Sequence, residues 1–384
     1  MLKKYNFIGI YMHIKRILET NLTNKLQDNK AIVIYGARQV GKSTLLRRLF
    51  DGDKDVLWLY GDQPQTQAIF ENASTERLKT IISSKKILII DEAQLIKNIG
   101  LKIKLITDYI PNIKVIATGS SSFELANKIN EPLTGRKWEY QLLPFSFKEL
   151  SMQTSVAEEL GNIETRLIYG YYPDVVLNKG NEKEILLELA NSYLYKDILL
   201  WGNLQKSDKI TKLLQALAFQ AGSQVSYNEL AQIVGLNIKT VEKYIELLEK
   251  SFVVYKVSSF SRNLRNELKA SIKIYFYDNG IRNALISAFN PISLRDDIGV
   301  LWENFIMSEL LKKDMYAKNF ARRWFWRTKQ QQEIDLIHES GGVYKAFEFK
   351  WNSLKKVHAV KIFKEAYPDI EVNVINKDNF IDYM

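Results

Sequence analysis

Eight consecutive residues, Gly36 to Ser43, have the types and the spacing that hold a chain of phosphates. They read Gly36-Ala37-Arg38-Gln39-Val40-Gly41-Lys42-Ser43 and fit the pattern G-x-x-x-x-G-K-[ST]. The glycines let backbone N–H groups turn toward an anion, and the N-terminus of the following helix adds positive potential. Lys42 is expected to reach the β and γ phosphates, and the Ser43 hydroxyl to ligate Mg²⁺. The sequence therefore predicts ATP and Mg²⁺ as cofactors.

The flanks of this segment have the context that the motif needs. The apolar run 31–35 predicts a buried strand, and residues 43–50 predict a helix. The alternative is a glycine-containing strand–helix turn that matches the pattern by chance. The predicted nucleotide-binding residues are Gly36, Ala37, Arg38, Gln39, Val40, Gly41, Lys42, Ser43, Thr44, Asp91 and Ser120.

Two adjacent acids, Asp91 and Glu92, end a second apolar run, 87–90. Such a strand in a parallel sheet delivers its C-terminal residues toward the phosphates. Asp91 is expected to hold Mg²⁺ through water, and Glu92 to orient or deprotonate the attacking water. Each acid alone could be a solvated strand end, but together they favour a nucleotide hydrolase over a mere nucleotide binder.

Two further residues are candidates for the same chemistry. Ser120 follows the strand 114–118, where a polar side chain could sense the γ-phosphate; the alternative is a cap for the next helix. Arg136 is a candidate arginine finger, acting in cis or toward a neighbouring subunit, because a planar cation can neutralise charge on the γ-phosphate. The alternative is a surface arginine in a loop. Action toward a neighbour would imply a homo-oligomer.

The length and the composition limit the classes of protein to which the chain can belong. The chain has 384 residues, 46% of them hydrophobic, which predicts a globular protein of two or three domains. No apolar run reaches the length of a membrane span, and no signal peptide is recognisable. The absence of cysteine excludes disulfides and thiolate metal sites, and agrees with a cytoplasmic location. The net charge of +10 suits an anionic partner such as DNA, although a lysine-rich surface gives the same value.

The elements that must position these residues follow from the periodicity. Strands alternate with helices up to residue 150, which predicts an α/β parallel sheet with helices on both faces. Residues 151–205 predict a helical extension. Residues 206–290 predict a winged helix-turn-helix, made of short helices joined by a glycine turn and followed by a hairpin. The last predicted unit is 291–384.

The predicted winged helix offers polar and basic residues to DNA or serves as a structural module. Its third helix presents Asn237, Lys239, Thr240 and Lys243, and the hairpin connection carries Arg262, Arg265 and Lys269. Three glutamates on the same helix oppose a DNA backbone.

Acids in the last unit form a second chemical constellation. Asp335 and Glu348 stand on two predicted strands as D-x₁₂-E-x-K, with Lys350 on the same face as Glu348. This pattern resembles the PD-(D/E)XK nucleases, in which Asp335 and Glu348 would share one or two Mg²⁺ ions and Lys350 would position or activate water. Glu303, on the preceding helix, fits the upstream acid, and Ile334 replaces the usual proline. A domain that binds without cutting, or one whose charges are only salt-bridged, is the alternative.

With these residues together, the chain resembles a family of archaeal and bacterial P-loop ATPases related to the AAA and STAND groups, whose C-terminal region is a domain of unknown function. The matching segments are Gly36–Ser43, Asp91-Glu92-Ala93-Gln94, Thr118-Gly119-Ser120, Gly135-Arg136, Pro144-Phe145-Ser146-Phe147-Lys148-Glu149-Leu150, Tyr195-Lys196-Asp197-Ile198, Glu333-Ile334-Asp335 and Glu348-Phe349-Lys350. The resemblance implies ATP binding, a winged helix and a nuclease-like C-terminal domain. One departure is Tyr171-Tyr172-Pro173, where the family usually has a glycine before Tyr-Pro.

These features predict an Mg²⁺-dependent ATPase whose nucleotide state controls a winged-helix and nuclease-like module on DNA. A STAND-like signalling switch with a non-cleaving sensor domain is one alternative. A DNA-binding protein that uses ATP as a structural ligand is another.

Overall fold

The structure, a computed structural model, describes residues 14–71, 73–120, 133–193, 207–261, 271–352 and 358–384. The basic hairpin connection with Arg262, Arg265 and Lys269, and the segment Tyr195-Lys196-Asp197-Ile198, lie outside these ranges. Among the described residues, the strands form two sheets.

The first sheet carries the phosphate-binding motif. Its strands are β1 (Ala31–Tyr35), β2 (Val56–Tyr60), β3 (Ile87–Asp91), β4 (Lys114–Gly119) and β5 (Lys137–Gln141). Within the described residues their order is β2-β3-β4-β1-β5, and every pair is parallel. All residues of β1 and β4 are buried, which means that both faces of these strands are covered. The prediction of an α/β parallel sheet is confirmed.

Helices connect the strands and continue after the sheet. Those of the first part are α1 (Leu18–Thr23), α2 (Lys42–Phe50), α3 (Pro64–Glu71), α4 (Thr75–Ile82) and α5 (Ile99–Tyr109). Five short helices follow: α6 (Phe147–Gln153), α7 (Val156–Gly161), α8 (Ile163–Tyr169), α9 (Pro173–Leu177) and α10 (Glu182–Glu188). A capping box begins α6, because the Ser146 hydroxyl accepts the Glu149 N–H and the Glu149 carboxylate accepts the Ser146 N–H.

The second sheet spans two of the predicted units. Its strands are β6 (Gln224–Val225), β7 (Val254–Ser259), β8 (Ile272–Phe276), β9 (Arg322–Arg327), β10 (Glu333–Ser340), β11 (Val343–Phe349) and β12 (Glu371–Ile375). Over the described ranges the order is β12-β11-β10-β9-β7-β8-β6. Ser258 and Ser259 of β7 pair in parallel with Trp324 and Phe325 of β9. The boundary predicted at residue 290 therefore runs through one continuous sheet.

Helices around this sheet complete the fold. They are α11 (Ser207–Phe219), α12 (Tyr227–Val234), α13 (Ile238–Lys250), α14 (Asn279–Leu285), α15 (Ile298–Ala317) and α16 (His358–Ala366). The order α11, β6, α12, α13, β7, β8 is the one expected of a winged helix-turn-helix, and that name stays a prediction. No described helix is long and apolar enough to cross a bilayer.

The long helix α15 packs against β8 and β11 of the second sheet, and its C-terminal end contacts the residues after β5. Its 20 residues span about 30 Å, and buried side chains occur from Leu301 near its start to Tyr316 near its end. Trp302 and Phe305 pack edge-on against Phe380 near the C-terminus.

Candidate nucleotide site and acidic cluster

The phosphate-binding segment leads from β1 into α2, as the motif requires. A Cβ at Gly36 would come within 2.2 Å of the Leu142 carbonyl oxygen, so only glycine fits where this loop passes the segment after β5. The Lys42 side chain is buried, and its ammonium donates to the carbonyl oxygens of Gly36 at 2.9 Å and Ala37 at 2.8 Å. The lysine is therefore held under the loop.

Asp91 accepts hydrogen bonds from two hydroxyls at the carboxyl end of the sheet, one at the start of α2 and one on β4. Ser43 Oγ donates to Asp91 Oδ2 at 2.7 Å, and Thr118 Oγ1 donates to Asp91 Oδ1 at 2.5 Å. Thr118 reaches this carboxylate because β4 lies between β1 and β3. Hydroxyl and carboxylate oxygens are ligands that Mg²⁺ accepts, so Ser43 and Asp91 fit the predicted ion.

Glu92 is held beside Asp91 by backbone and side-chain contacts. Its N–H donates to Thr118 Oγ1 at 3.1 Å. Gln94 Nε2 donates to Glu92 Oε2 at 2.5 Å and to Ser120 Oγ at 3.1 Å. Ser120 is thus joined to Glu92 through Gln94, and Thr118 is the residue of β4 that contacts Asp91. Neither Thr118 nor Gln94 had a predicted role.

A cavity of about 980 Å³ opens above the loop. Its lining includes Gln39, Val40, Gly41, Lys42, Ser43, Thr44 and Glu92. Arg16 and Glu19 from the segment around α1 line it as well, together with Pro173, Asp174 and Leu177 of α9. The predicted helical extension therefore contributes a wall of this cavity, which we call the nucleotide pocket.

The second constellation assembles where α15 meets the second sheet. Carboxylate oxygens of Glu303, Glu333 and Asp335 lie within 4.8 Å of one another. Asp335 Oδ2 accepts the N–H of Phe349 at 2.7 Å, which fixes it beside the end of β11. Glu348 precedes that residue on β11. We call Glu303, Glu333, Asp335 and Glu348 the acidic cluster.

Two lysines accompany the acidic cluster. Lys350 Nζ lies 2.6 Å from Glu348 Oε1, as a Glu-x-Lys pair on one face allows. Lys273, from β8, is only 1% exposed and pairs with Glu303 Oε1 at 3.1 Å and with Glu333. The Tyr275 hydroxyl donates to Glu303 Oε1 at 2.7 Å. Lys273, Tyr275 and Glu333 had no predicted role.

The electrostatics of the acidic cluster are those of buried acids in close contact. Burial, followed by Glu303 and Glu348, raises the pKa of Asp335 well above its ordinary value. Burial also raises the pKa of Glu348, against the opposing effect of Lys350. Glu348 Oε2 is buried and has no hydrogen-bond partner. An orphaned carboxylate oxygen in a group of acids fits a divalent cation.

Comparison with known proteins assigns the first part of the chain. Residues 28–151 match a family model described as an AAA domain. This part of the chain is similar to AAA domains and contains the P-loop motif, and we call it the AAA domain. Residues 160–291 and 298–381 match models described as domains of unknown function, DUF8612 and DUF4143. The AAA domain therefore carries the nucleotide pocket, apart from the walls formed by residues 14–19 and by α9.

Full-length relatives are distant. An uncharacterized protein of Methanocaldococcus jannaschii is 22% identical, covering 94% of this chain and 84% of its own. An uncharacterized protein of Haemophilus influenzae is 26% identical, covering 79% and 78%. Among solved structures, a Walker-type ATPase of Pyrococcus abyssi superposes with a TM-score of 0.47 at 17% identity, over 71% of this chain and 96% of that one.

Arg136 lies at the wrong end of the AAA domain for a role in cis. Its carbonyl accepts the N–H of Ala31, the first residue of β1, whereas the phosphate-binding loop follows Tyr35, the last residue of β1. Five strand residues separate the two ends by roughly 17 Å. The Arg136 side chain pairs with Asp108 at 2.7 Å and is 45% exposed. The prediction of an arginine finger in cis is therefore wrong, and a role toward a neighbouring subunit stays a prediction.

The predicted DNA-contact residues of α13 divide into two groups. Asn237 Oδ1 accepts the N–H of Thr240 at 2.8 Å and its hydroxyl at 2.9 Å, so these two residues cap the helix. Lys239 and Lys243 are exposed. The nearby Ile238 is 46% exposed, which adds an apolar component to this surface.

Arg16 joins the AAA domain to α15. Its buried guanidinium pairs with Glu149 at 3.0 Å and donates to the carbonyl of Val40, in the phosphate-binding loop, at 2.9 Å. It also donates to the Leu143 carbonyl at 2.5 Å and to the Tyr316 hydroxyl at 3.5 Å. One side chain thus contacts the phosphate-binding loop, the start of α6 and the end of α15.

Further contacts join α15 to the start of α6 and to the residues just before it. The Phe147 N–H donates to Glu309 Oε2 at 2.8 Å, and Lys312 Nζ donates to the Phe145 carbonyl at 2.8 Å. Residues 144–150 therefore form part of the surface on which α15 packs. We call this set, with Arg16 and Tyr316, the junction.

A second connection reaches α9, a wall of the nucleotide pocket. The Tyr171 N–H donates to Asp278 Oδ2 at 2.7 Å, and Asp278 Oδ1 caps α14 by accepting the Ile281 N–H. A Cβ at Gly170, whose φ is +73°, would lie 2.0 Å from Asp278 Oδ1. The turn before α9 is therefore fitted closely to α14.

Proposed function

We propose that this protein is an Mg²⁺-dependent ATPase whose nucleotide state controls the C-terminal module built on the second sheet. The observation that carries the proposal is the Ser43–Asp91 contact beside Lys42, with Glu92 next in the chain. These are the groups needed to bind a triphosphate and to direct water at it.

Each residue has a distinct part in the proposed reaction. Lys42 would exchange its contacts with the loop carbonyls for phosphate oxygens, and Ser43 and Asp91 would hold the ion. Bound Mg²⁺ supplies positive charge that offsets the charge developing on the phosphates. Glu92 accepts a proton from water or orients it, and its hydrogen bond from Gln94 sets the direction of the carboxylate.

Control of the C-terminal module is supported by α15. Tyr316 at one end contacts Arg16, which contacts Val40 of the phosphate-binding loop. Glu303, 13 residues earlier in the chain, belongs to the acidic cluster, roughly 20 Å away along a continuous helix. A change in the loop on nucleotide binding can therefore bias the position of a rigid element that ends in the second site.

The test is ATP turnover and ATP binding, each measured with and without DNA. Lys42→Ala should weaken ATP binding, whereas Glu92→Gln should keep binding and lose turnover. Lys54→Ala and Glu164→Gln, both at exposed positions, are matched controls. Turnover equal in the wild type and in Lys42→Ala would disprove the ATPase. Turnover and binding in the wild type that are indifferent to DNA would remove DNA as the partner.

For the acidic cluster we propose a nuclease-like, metal-dependent site that acts on DNA phosphodiesters. The orphaned Glu348 Oε2 beside Asp335 supports a bound cation, and Lys350, which pairs with Glu348, would orient water. Cleavage of DNA with Mn²⁺ or Mg²⁺ should disappear in Asp335→Asn and in Lys350→Met. Cleavage that survives both substitutions would show that another site, or a contaminant, is responsible.

A non-cleaving, STAND-like switch is the second candidate, favoured by the direct contact of the junction with the phosphate-binding loop. Here ATP would set an assembly state, and Arg136, exposed on the AAA domain, would face a neighbouring subunit. Molecular mass and DNA affinity should then differ between ADP and a non-hydrolysable ATP analogue. Identical values for both quantities would exclude the switch.

A further inference from the structure

Lys273 occupies the middle of a group of carboxylates. It projects from β8, next to β7 in the second sheet, and its side chain is only 1% exposed. Its ammonium pairs with Glu303 and with Glu333, two of the three acids whose oxygens lie within 4.8 Å of one another. The negative charge that would attract a metal ion to Glu303 and Glu333 is thus already compensated by an ammonium.

The arrangement around Lys273 holds it firmly in place. Its ammonium lies 5.4 Å from the centroid of the Phe325 ring, and the Tyr275 hydroxyl, from the same face of β8, binds the same Glu303 oxygen. A fully buried cation is stable only where acids compensate it, and the two acids that do so come from α15 and β10. Lys273 therefore belongs to the site, although it lies outside the segment that carries the acids.

The other side of the acidic cluster is different. Glu348 has one oxygen paired with Lys350 and the other, Oε2, buried without a hydrogen-bond partner. Asp335 keeps one oxygen on the Phe349 N–H. A buried carboxylate oxygen without a donor is costly, so this is the side where a positive charge is missing.

We propose that the acidic cluster binds one divalent cation, on the Asp335 and Glu348 side, and that the ammonium of Lys273 takes the place of a second ion on the Glu303 and Glu333 side. The inference rests on the proposed metal site. It changes the chemistry expected there, because a pair of ions about 3.5–4 Å apart clamps both the attacking and the leaving oxygen, whereas a fixed ammonium supplies charge with no exchangeable ligand position.

The experiment counts Mn²⁺ ions bound per chain, by electron paramagnetic resonance of the free ion, in the full chain without nucleotide. Every protein carries Asp91→Asn, which removes the ion of the nucleotide pocket. The parent should bind one ion, and Asp335→Asn should bind none. Lys273→Met should bind two, because the charge between Glu303 and Glu333 is gone.

Two variants are matched controls. Lys273→Arg keeps the positive charge and should bind one ion. Lys345→Met removes an exposed lysine from β11 and should also bind one. Far-UV circular dichroism establishes that each variant is folded.

Several results would overturn the inference. Two ions bound by the parent would overturn the inference but would leave the proposed metal site standing. This result does not depend on whether Lys273→Met folds. One ion of unchanged affinity in a folded Lys273→Met would show that the ammonium does not hold a cation position. If Asp335→Asn binds as many ions as the parent, the proposed metal site is wrong and the inference fails with it.

Discussion

Replacing Arg16 by methionine should destabilise the protein strongly, because Arg16 and Glu149 form a buried ion pair. Their side chains are 5% and 0% exposed, and the guanidinium also donates to two carbonyls. Removing one partner of a buried pair leaves the other charge uncompensated, which costs about 3–5 kcal/mol. Arg16→Met should therefore lower the free energy of unfolding by about that amount.

The double variant Arg16→Met/Glu149→Gln tests whether the uncompensated charge is the cause. Glutamine keeps an oxygen that can accept the backbone N–H of Ser146, so part of the capping box survives. With both charges gone, the loss should be smaller than the sum of the two single losses by about 2 kcal/mol.

The assay is urea unfolding followed by tryptophan fluorescence and circular dichroism. Arg136→Met is the matched control, because Arg136 and Asp108 form the same kind of pair at 45% and 25% exposure. Such a surface pair contributes about 0–1 kcal/mol. A loss for Arg16→Met no larger than for Arg136→Met, or strictly additive single losses, would refute the reasoning.

Other perturbations give distinct outcomes. Lys42→Ala should weaken ATP binding roughly 10- to 150-fold, the equivalent of one charge-assisted contact of about 1.5–3 kcal/mol, as titration calorimetry would measure; an unchanged Kd would contradict this. Gly170→Ala should cost at least about 2 kcal/mol, since it combines a positive φ with a clash against Asp278. Gly161→Ala, at a site with open space, should be neutral or slightly stabilising in the same thermal melts, and equal effects would refute the assignment. Because the pKa of Asp335 is raised in the folded state, its contribution to stability is present below the ordinary pKa and is lost as the pH rises. Asp335→Asn should therefore raise the Tm in chelator by more at about pH 8 than at about pH 4, and a pH-independent difference would contradict this.

The nucleotide pocket was largely predictable because its chemistry is local in sequence. Gly36 to Ser43 specify their own loop, and Asp91 ends a strand of the same sheet. Thr118 was not predictable as the partner of Asp91, because its position depends on β4 lying between β1 and β3. The wrong prediction that Arg136 acts in cis has the same origin. The sequence does not show at which end of the sheet the loop that carries Arg136 lies.

Most of the acidic cluster was predicted from residues 291–384, but the lysine that pairs with it comes from an earlier part of the chain. The pattern of Asp335, Glu348 and Lys350 follows from alternation along two strands, and Glu303 from its position on the preceding helix. Lys273 belongs to a different predicted unit, and only the pairing of β7 with β9 brings its hairpin to the cluster. A signal was present, since a lysine in the apolar strand Ile272-Lys273-Ile274-Tyr275-Phe276 needs a buried partner.

The parallel pairing of β7 with β9 also bears on how fragments of the chain would behave. A fragment ending near residue 291 would expose the edge of β7, a template for aggregation, and would leave the Lys273 ammonium without Glu303 and Glu333. A fragment beginning near residue 298 would expose β9 in the same way and would have to bury four acids without that lysine. No fragment of the C-terminal half smaller than residues 207–384 is therefore expected to fold when expressed alone, and exchanging either segment between relatives requires exchanging both.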